Sequence, residues 1–384
     1  MSIFIINSRR SPITSFLSTN KKNLVDDSVN IVNDLCKTIN KEDINRAYIG
    51  NVLSAGYGQN ISRQITYNSK INCPSFVVNN VCGSGMISII ESVKSIQCKE
   101  TNLALCGGVE YMSLAPYLNY DIRKQTKFGN TQLIDSLIND GLTDFVSKKH
   151  MGLLTEELIE KYDITKKDLD EYSILSYQRA RENVSNLQRE IFPLLDKNNL
   201  IDTDEEIFKN NDLNKIYNLR PAFKKDGKLS AGNSSKLSDG LSFMLVASED
   251  YIKNNNIKPL VEIVDYDVIV GEPSEFSILP LKSIELICKK NKINIDDIDL
   301  FEVNEAFSHI PILCNKLLNI PIEKINIYGG AISLGHPLGC SGNRIVVTLI
   351  NQLVSNNKKY GIASICNGGG GATTILLKNI NFNI

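Results

Sequence analysis

One pattern of secondary structure occurs twice in this chain of 384 residues and limits its fold more than any other feature. Each copy has an apolar strand, a glycine-containing turn, a helix with apolar residues at helical spacing, and a second apolar strand that ends in Cys and Gly. The predicted strands are 75–78 and 102–105 in the first copy, and 324–328 and 360–365 in the second. Apolar strands that alternate with helices are typical of a parallel sheet covered by helices on both faces. We therefore predict an α/β fold of two duplicated βαβ halves, with chance local resemblance between α/β segments as the alternative.

The middle of the chain, residues 116–237, differs from both copies of the pattern. It is more polar, contains a charged predicted helix at 166–182 and carries an acidic stretch at 202–206. We predict that it is an inserted loop domain, because segments of this kind often form one wall of a ligand site. The predicted domains are a first half made of 1–115 plus about 238–258, the inserted segment 116–237, and a second half, 259–384.

Charge and cysteine usage narrow the class of protein. The formal net charge is −1, with both signs mixed along the chain, so no nucleic-acid or membrane-surface partner is expected. The nine cysteines form no CxxC pair, which favours a reduced, cytoplasmic protein over a disulfide scaffold. No apolar run is long enough to span a bilayer, and the first residues are typical of a strand, not of a secretion signal. Without CxxC, HxxxH or HExxH patterns, no metal site is expected, and the spacing of nucleotide-binding loops is also missing.

The first candidate for chemistry is Cys82, which lies in VCGSGM (81–86) between a predicted strand and a predicted helix. The positive end of a helix dipole lowers the pKa of a thiol at the helix N-terminus and favours the nucleophilic thiolate. The neighbouring glycines let the backbone turn sharply and leave room for a substrate. A buried structural cysteine is the alternative, and this segment alone does not decide between the two.

Three further residues lie in segments suited to catalysis. His336, one of three histidines, sits in a glycine-rich loop and is either a base for a thiol or a turn residue that caps its neighbours. Cys366 precedes four glycines, whose backbone N–H groups suit an oxyanion, although a flexible surface turn has the same composition. Asn304 follows the predicted strand 298–303, where it acts either as a helix N-cap or as a group that positions a water or an imidazole.

Together these segments resemble the four active-site motifs of the thiolase family and occur in the family's order. The motifs are VCGSGM (81–86), NEAF (304–307), GGAISLGHP (329–337) and CNGGG (366–370). The resemblance covers nearly the whole chain, through GNVL (50–53), GQN (58–60), GGVEYMS (107–113), DGLTD (140–144), HMG (150–152), RPAF (220–223) and AGNSS (231–235). It implies a thiolase-like fold, in which the two halves stack as layers α-β-α-β-α.

The resemblance also implies a role for each candidate residue. His336 activates Cys82, whose thiolate takes the acetyl group of acetyl-CoA, and Cys366 then removes a proton from a second acetyl-CoA. His336 and a water held by Asn304 form one oxyanion hole, and the backbone N–H groups of Cys82 and Gly368 form the other. The CoA thioesters are substrates, so neither a cofactor nor a metal is implied.

In the family, the inserted segment holds the pantetheine and ADP parts of CoA. The positions that match these contacts are Leu142, His150, Met151, Phe223, Ala231 and Ser235, with Ala306 and Phe307 along the pantetheine slot. One position departs from the pattern, because Phe208 stands where many members have an Arg, and Lys209 follows it. Either a contact to CoA is lost, or Lys209 replaces the guanidinium as a simpler point charge.

The motifs at 140–144 and 150–152 and the form CNGGGG are most similar to the biosynthetic branch, which makes acetoacetyl-CoA. The expected function is therefore acetyl-CoA C-acetyltransferase, with the degradative 3-ketoacyl-CoA thiolases as the close alternative. A ketoacyl synthase of the same fold is disfavoured by the cysteine at position 366, and a non-catalytic acyl-CoA or lipid carrier is the remaining alternative. The resemblance implies a homo-oligomer, dimer or tetramer, whose partners are acetyl-CoA, acetoacetyl-CoA and CoA.

Overall fold

The computed structural model describes residues 2–18, 23–124, 127–197 and 199–382. In these ranges the strands are β1 Ile3–Arg10, β2 Thr14–Ser15, β3 Arg46–Gly50, β4 Ser75–Val78, β5 Leu103–Tyr111, β6 Tyr117–Leu118, β7 Ile134–Asp135, β8 Leu194–Asp196, β9 Asn199–Ile201, β10 Ser238–Ser248, β11 Val261–Val270, β12 Leu300–Val303, β13 Tyr360–Asn367 and β14 Gly371–Asn379. The α-helices are α1 Leu24–Leu35, α2 Ile61–Asn68, α3 Ser84–Gln97, α4 Met151–Lys161, α5 Lys166–Glu182, α6 Val184–Gln188, α7 Glu206–Lys209, α8 Glu249–Asn254, α9 Leu279–Asn291, α10 His309–Leu318 and α11 Leu338–Ser355.

A ten-stranded sheet runs through both halves in the order β12-β13-β14-β11-β1-β10-β5-β3-β4, with β2 paired to β10 beside it. The outer pairs β12–β13, β3–β5 and β3–β4 are parallel, whereas the central pairs are antiparallel. The predicted α/β class is confirmed, but the expected parallel sheet is wrong for its centre. The reason is that β14 folds back on β13 through a glycine turn, and β10 returns beside β5 after the inserted segment.

The duplication predicted from the sequence appears as a repeated strand order. Read outward from the β1–β11 pair, the order is β1-β10-β5-β3 in the first half and β11-β14-β13-β12 in the second. If the two-residue β2 is left out, each half thus places its first strand, then its last, then the strand before the last, then its second. In the first half β4 follows as the edge strand, and in the second half Ile325 takes that place through a single parallel bridge to Phe301. The predicted strand 324–328 is therefore wrong as a strand. A 3₁₀ turn at Ile322–Lys324 and the positive φ of 49° at Asn326 interrupt it.

Five layers follow from the packing of the helices. The helices α3 and α11 pack against each other and touch strands of both halves, so a helical layer lies between the two halves. On the outside, α1 and α2 cover the strands of the first half, and α9 covers β11, β13 and β14 of the second. This arrangement is the layered α-β-α-β-α fold that the resemblance implied. The division into 1–115 with 238–258, 116–237 and 259–384 stays a prediction.

The central helices approach each other so closely that their backbones are almost in contact. A Cβ added at Gly85 of α3 would lie 2.7 Å from the backbone N of Asn343, and one at Gly342 of α11 would lie 2.6 Å from the backbone N of Met86. Any side chain at these two positions would push the helices apart. The contact lies near the N-termini of both helices, so the loops that precede them, which carry Cys82 and His336, converge.

Helix α5 matches its prediction, whereas strands β5 and β13 are longer than predicted. Helix α5 spans the predicted 166–182 and begins with a capping box between Thr165 and Asp168, which satisfies backbone N–H groups in its first turn. Strand β5 continues beyond its predicted end at 105, through Gly107 and Gly108, to Tyr111. It does so because it is fully buried and paired with β10 along its length. In the described part of the chain, helices long and apolar enough to cross a membrane do not occur.

Candidate active site

One cavity lies where the loops before α3 and α11 meet the glycine turn after β13 and the inserted segment. Its volume is about 830 Å³ including the open mouth. Of the residues predicted for chemistry, Cys82, His336, Cys366 and Gly368 line it. Asn304 is buried beside His336, where its Nδ2 lies 3.5 Å from the imidazole Nε2. The fold therefore brings together residues that are up to 286 positions apart in the sequence, Cys82 and Gly368.

The walls of the cavity contain most of the residues predicted to contact CoA. These are Leu142, His150, Met151, Phe223, Ser235, Ala306 and Phe307. Ala231 does not line the cavity; it is exposed, and its carbonyl accepts a hydrogen bond from the Lys236 ammonium. Five further lining residues were not predicted from the sequence: Gly141, Ser234, Leu237, Phe276 and Leu338. Three of these are direct neighbours of predicted positions or motifs and Leu237 is two residues from Ser235, so spacing could have found these four. Phe276 reaches the cavity only through tertiary packing.

Cys82 lies in a strained turn that is held by two hydrogen bonds of a neighbouring serine. Val81 has a φ of 48°, a conformation that β-branched residues rarely adopt. The Ser84 hydroxyl accepts a hydrogen bond from the backbone N of Asn80 at 2.8 Å and donates one to the carbonyl of Val81 at 2.6 Å. These two bonds close the turn immediately before α3, so the thiol is directed into the cavity and not along the helix.

The pKa of the Cys82 thiol is raised, whereas the sequence suggested that it is lowered. Burial raises its pKa to about 12, although the backbone N–H of Gly368 donates to the sulfur and opposes the shift. The nearby carboxylate of Glu110 raises it further. The expected lowering by the helix dipole is therefore wrong, because removing a thiolate from water costs more than the helix terminus returns. A thiol in this state needs a base to become a nucleophile.

His336 is held in the form that accepts a proton. The Ser341 hydroxyl donates its hydrogen to the carbonyl of Pro337 at 2.8 Å, so it must accept from the Nδ1–H of His336 at 2.6 Å. Nε2 is then left without a proton. Burial, helped by the positive charge of Arg344, lowers the pKa of His336 to about 3. The imidazole is therefore neutral at pH 7.

Cys366 is presented to the same cavity by the end of β13. The strand runs to Asn367, two residues beyond the prediction, and the hairpin to β14 turns at Gly369 and Gly370, whose φ values are 86° and 83°. Burial raises the pKa of the Cys366 thiol, and the proximity of Cys82 raises it again. Two neutral thiols and a neutral imidazole thus share one cavity. None of these three groups is charged before a proton passes between them, so the resting site carries no cost for burying their charges.

Aromatic rings form the wall on the side of the inserted segment. His150 stacks on Phe223 with 5.0 Å between ring centroids, and Phe223 meets Phe307 edge to face at 6.1 Å. His150 Nδ1 accepts the backbone N–H of Gly152 at 3.0 Å, which leaves Nε2 as the protonated nitrogen. This wall is apolar with a single ring donor, which suits a long, flexible ligand arm with few polar groups.

Two other expectations from the sequence concern the role of Lys209 and a metal site. Lys209 is paired with Glu206 of its own helix turn at 3.2 Å, and both it and Phe208 lie outside the cavity wall. Its role toward CoA stays a prediction. Among the residues that the structure describes, groups of three or more His, Cys, Asp or Glu that could hold a metal ion were not found.

Comparison with known families identifies the architecture. Residues 3–250 match the model of the thiolase N-terminal domain, and residues 257–379 match that of the thiolase C-terminal domain. The chain belongs to the thiolase family. This enzyme is an acyltransferase of that family.

Three known proteins illustrate the similarity. A probable acetyl-CoA acyltransferase from Staphylococcus aureus (strain MSSA476) is 40% identical over 348 residues, which cover 87% of each chain. The same level of identity holds for the protein of that name from Staphylococcus aureus (strain MRSA252). The crystal structure of Acat5 thiolase from Ascaris suum in complex with coenzyme A superposes with a TM-score of 0.94 at 35% identity, covering 99% of this thiolase and 100% of that chain.

Proposed function

We propose that this thiolase is an acetyl-CoA C-acetyltransferase, which joins two acetyl-CoA molecules reversibly into acetoacetyl-CoA and CoA through an acetyl group on Cys82. The observation that carries the proposal is the meeting of two thiols, a neutral imidazole and a backbone N–H group in one cavity. The names of the relatives and the CoA bound to the Ascaris suum enzyme support CoA thioesters as substrates.

In the first half-reaction, His336 takes the proton of Cys82 through Nε2. The thiolate attacks the carbonyl carbon of acetyl-CoA, the C–S bond to CoA breaks, and CoA leaves as the thiol after it receives the proton from His336. The Gly368 N–H, which donates to the Cys82 sulfur at rest, together with the N–H of Cys82 would stabilise the oxyanion. The product of this step is acetyl-Cys82, which keeps the acyl group activated as a thioester.

In the second half-reaction, His336 takes the proton of the Cys366 thiol through Nε2, and the Cys366 thiolate then removes an α-proton from a second acetyl-CoA. The resulting enolate is stabilised by His336 and by a water on Asn304, and its carbon attacks the acetyl carbonyl on Cys82. The bond between Cys82 and the acetyl group breaks, acetoacetyl-CoA forms, and the Cys82 thiolate regains a proton from His336, which returns to its neutral form. A thioester α-proton is weakly acidic, so both a close base and an oxyanion hole are needed.

The aromatic wall is the proposed binding surface for the pantetheine arm, with Leu142, Met151 and Ala306 beside it. The cavity wall near Cys82 supports a short acyl group. Leu338 belongs to a compact buried cluster with Val52, Leu53, Met112 and Leu137, against which Cys82 and Leu142 pack. A cluster of this kind resists expansion, since buried side chains are close-packed.

The decisive experiment compares kcat/KM for thiolysis of acetoacetyl-CoA with that for a 3-ketoacyl-CoA of eight or more carbons. We expect acetoacetyl-CoA to be preferred by at least about tenfold, a difference of about 1.4 kcal/mol in transition-state binding. Equal or higher kcat/KM for the long substrate would assign the enzyme to the degradative 3-ketoacyl-CoA thiolases. No thiolysis of either substrate would favour a carrier.

Ser341→Ala should lower kcat of this reaction while the protein stays folded. The substitution leaves the Nδ1–H of His336 without its acceptor, and the imidazole can then carry its proton on Nε2, where it cannot act as a base. An unpaired buried donor costs about 1–3 kcal/mol, which corresponds to a rate loss of roughly 5- to 150-fold. Steady-state kinetics of acetoacetyl-CoA thiolysis measures it.

The matched control for that variant is Ser28→Ala. Ser28 is also fully buried, and its hydroxyl donates to the helix carbonyl of Leu24 at 2.7 Å, but it lies in α1, away from the cavity. Its kcat should equal that of the unmodified enzyme. An unchanged kcat in Ser341→Ala would show that the tautomer of His336 does not depend on this hydroxyl.

A further inference from the structure

We infer that Glu305 is a positioning residue that sets the placement of Asn304 relative to His336, and through it the rate of the second half-reaction. The inference rests on the proposed function and adds a role for a residue of the NEAF segment to which no role has been assigned. Glu305 is fully buried and does not line the cavity, so it acts through its neighbours and not on the substrate.

The Glu305 carboxylate is held by neutral donors on both oxygens. Oε1 accepts from the Tyr172 hydroxyl at 2.7 Å and from the Asn326 amide at 2.9 Å. Oε2 accepts from the Ser176 hydroxyl at 2.9 Å and from the backbone N–H of Ile332 at 3.0 Å. Burial and the adjacent carboxylate raise the pKa of Tyr172, so the phenol keeps its proton and remains a donor. With four donors, the buried carboxylate is satisfied and rigidly held.

These donors come from three separate parts of the fold. Tyr172 and Ser176 lie on α5 of the inserted segment, Asn326 lies in the loop after the Ile325 bridge, and Ile332 lies in the loop that leads to His336. Asn326 also bonds both the N–H and the carbonyl of Val303 at 2.8 Å, which fixes the end of β12 just before Asn304. The carboxylate therefore joins the strand end that carries Asn304 to the other two segments.

The side chain of Asn304 depends on this anchor more than His336 does. Within the described part of the chain, Asn304 Oδ1 has no hydrogen-bond partner, and Nδ2 has only the 3.5 Å contact to His336. Its position thus follows from the backbone, where its own N–H donates to the Ser364 carbonyl at 3.0 Å and the next residue is anchored through the Glu305 carboxylate. His336 has independent supports, because its backbone N–H donates to the Lys236 carbonyl at 2.9 Å and its ring is bound to Ser341.

The consequence is a division between the two half-reactions. Formation of acetyl-Cys82 uses His336 as a base and does not require Asn304. Enolate formation from the second acetyl-CoA uses the pair of Asn304 and His336. A displaced Asn304 should therefore slow condensation and leave acetylation nearly intact, whereas a loss of folded protein would reduce both to the same extent.

The test is Glu305→Gln, in which an NH₂ group replaces one carboxylate oxygen. The NH₂ group then meets the hydrogen-bond donors that this oxygen accepted from. Rapid-mixing experiments with radiolabelled acetyl-CoA measure the rate of acetyl-enzyme formation, and a second mixing step measures its conversion to acetoacetyl-CoA. We expect condensation to fall by about 100-fold, the size of effect that a small misplacement of a catalytic group produces. Acetylation per folded enzyme should change by less than about threefold.

Two further variants make the outcome decisive. Tyr172→Phe removes a single donor to Glu305 and should reduce condensation selectively by a smaller factor, even if Glu305→Gln fails to fold. Glu190→Gln is the control, because Glu190 is also buried and bonds Arg10 at 2.6 Å and Thr348 at 2.8 Å, but contacts neither Asn304 nor the His336 loop. Its ratio of condensation to acetylation should equal that of the unmodified enzyme.

Equal losses in both half-reactions, or none in either, for both Glu305→Gln and Tyr172→Phe would overturn the inference while the unmodified enzyme remains active. A different result would overturn the proposed function itself: an unmodified enzyme that forms no acetyl-Cys82. The two failures are distinguishable because the second appears before any variant is made.

Discussion

Cys82→Ser should abolish covalent labelling of the enzyme by acetyl-CoA that carries radioactive carbon in its acetyl group. Burial already raises the pKa of the thiol to about 12, and His336 can activate it only because sulfur remains nucleophilic near neutrality. A serine hydroxyl in the same environment is a far weaker acid and nucleophile. Turnover should fall on the order of 10⁶-fold, the size of loss found when an enzyme loses its nucleophile.

The control for this variant is Cys314→Ser. Cys314 is buried in α10 and does not line the cavity, so the variant should take up one acetyl group per chain, as the unmodified enzyme does. Acid-stable label in Cys82→Ser at the level of the control would assign the acyl group to another residue. Digestion and mass spectrometry of the labelled peptide identify which one.

Cys366→Ala should separate the half-reactions in a different way. The variant keeps Cys82 and His336, so it should form acetyl-enzyme and release one CoA per site in a burst. It should then make no measurable acetoacetyl-CoA, because the thiolate that removes the α-proton is missing. General-base catalysis contributes typically about 10²- to 10⁴-fold, so condensation should fall by at least about 100-fold.

Cys106→Ala is the matched control, since Cys106 holds the same place in the first copy of the repeated pattern. It is fully buried in β5, its Sγ lies 3.7 Å from the Met244 carbonyl, and it does not line the cavity. Removing this sulfur should cost stability but spare both half-reactions. If Cys366→Ala loses the burst as well as the condensation, its assignment as the base of the second step is not supported.

The sequence predicted the elements best where local spacing fixes them. Strand 75–78 and helix 166–182 have the predicted bounds, because a short apolar run and a capping box at Thr165 act within a few residues. The bounds failed where tertiary pairing decides. Strand β5 extends past its glycines because β10 pairs with it. Segment 324–328 is not a strand because turns on both sides of Ile325 leave the segment a single bridge to β12.

The candidate site shows the same division. The order of the motifs was enough to predict Cys82, His336 and Cys366 as residues of one site, and all three line the cavity. Phe276 was missed because it belongs to no motif and reaches the cavity from the second half through packing. Ala231 was expected at the site but lies exposed outside the wall, since a motif match does not state which way a loop turns.

By itself the sequence determined the duplicated α/β fold, the family and the residue types available for chemistry, because strand and helix periodicity and motif spacing are local properties of the chain. Only the tertiary structure decided the protonation states. Burial depends on how the two halves close around α3 and α11, and it reverses the expected direction of the Cys82 pKa and keeps His336 neutral. It also decided the contact between Asn304 and His336, since that distance depends on donors to Glu305 from three segments that are distant in sequence.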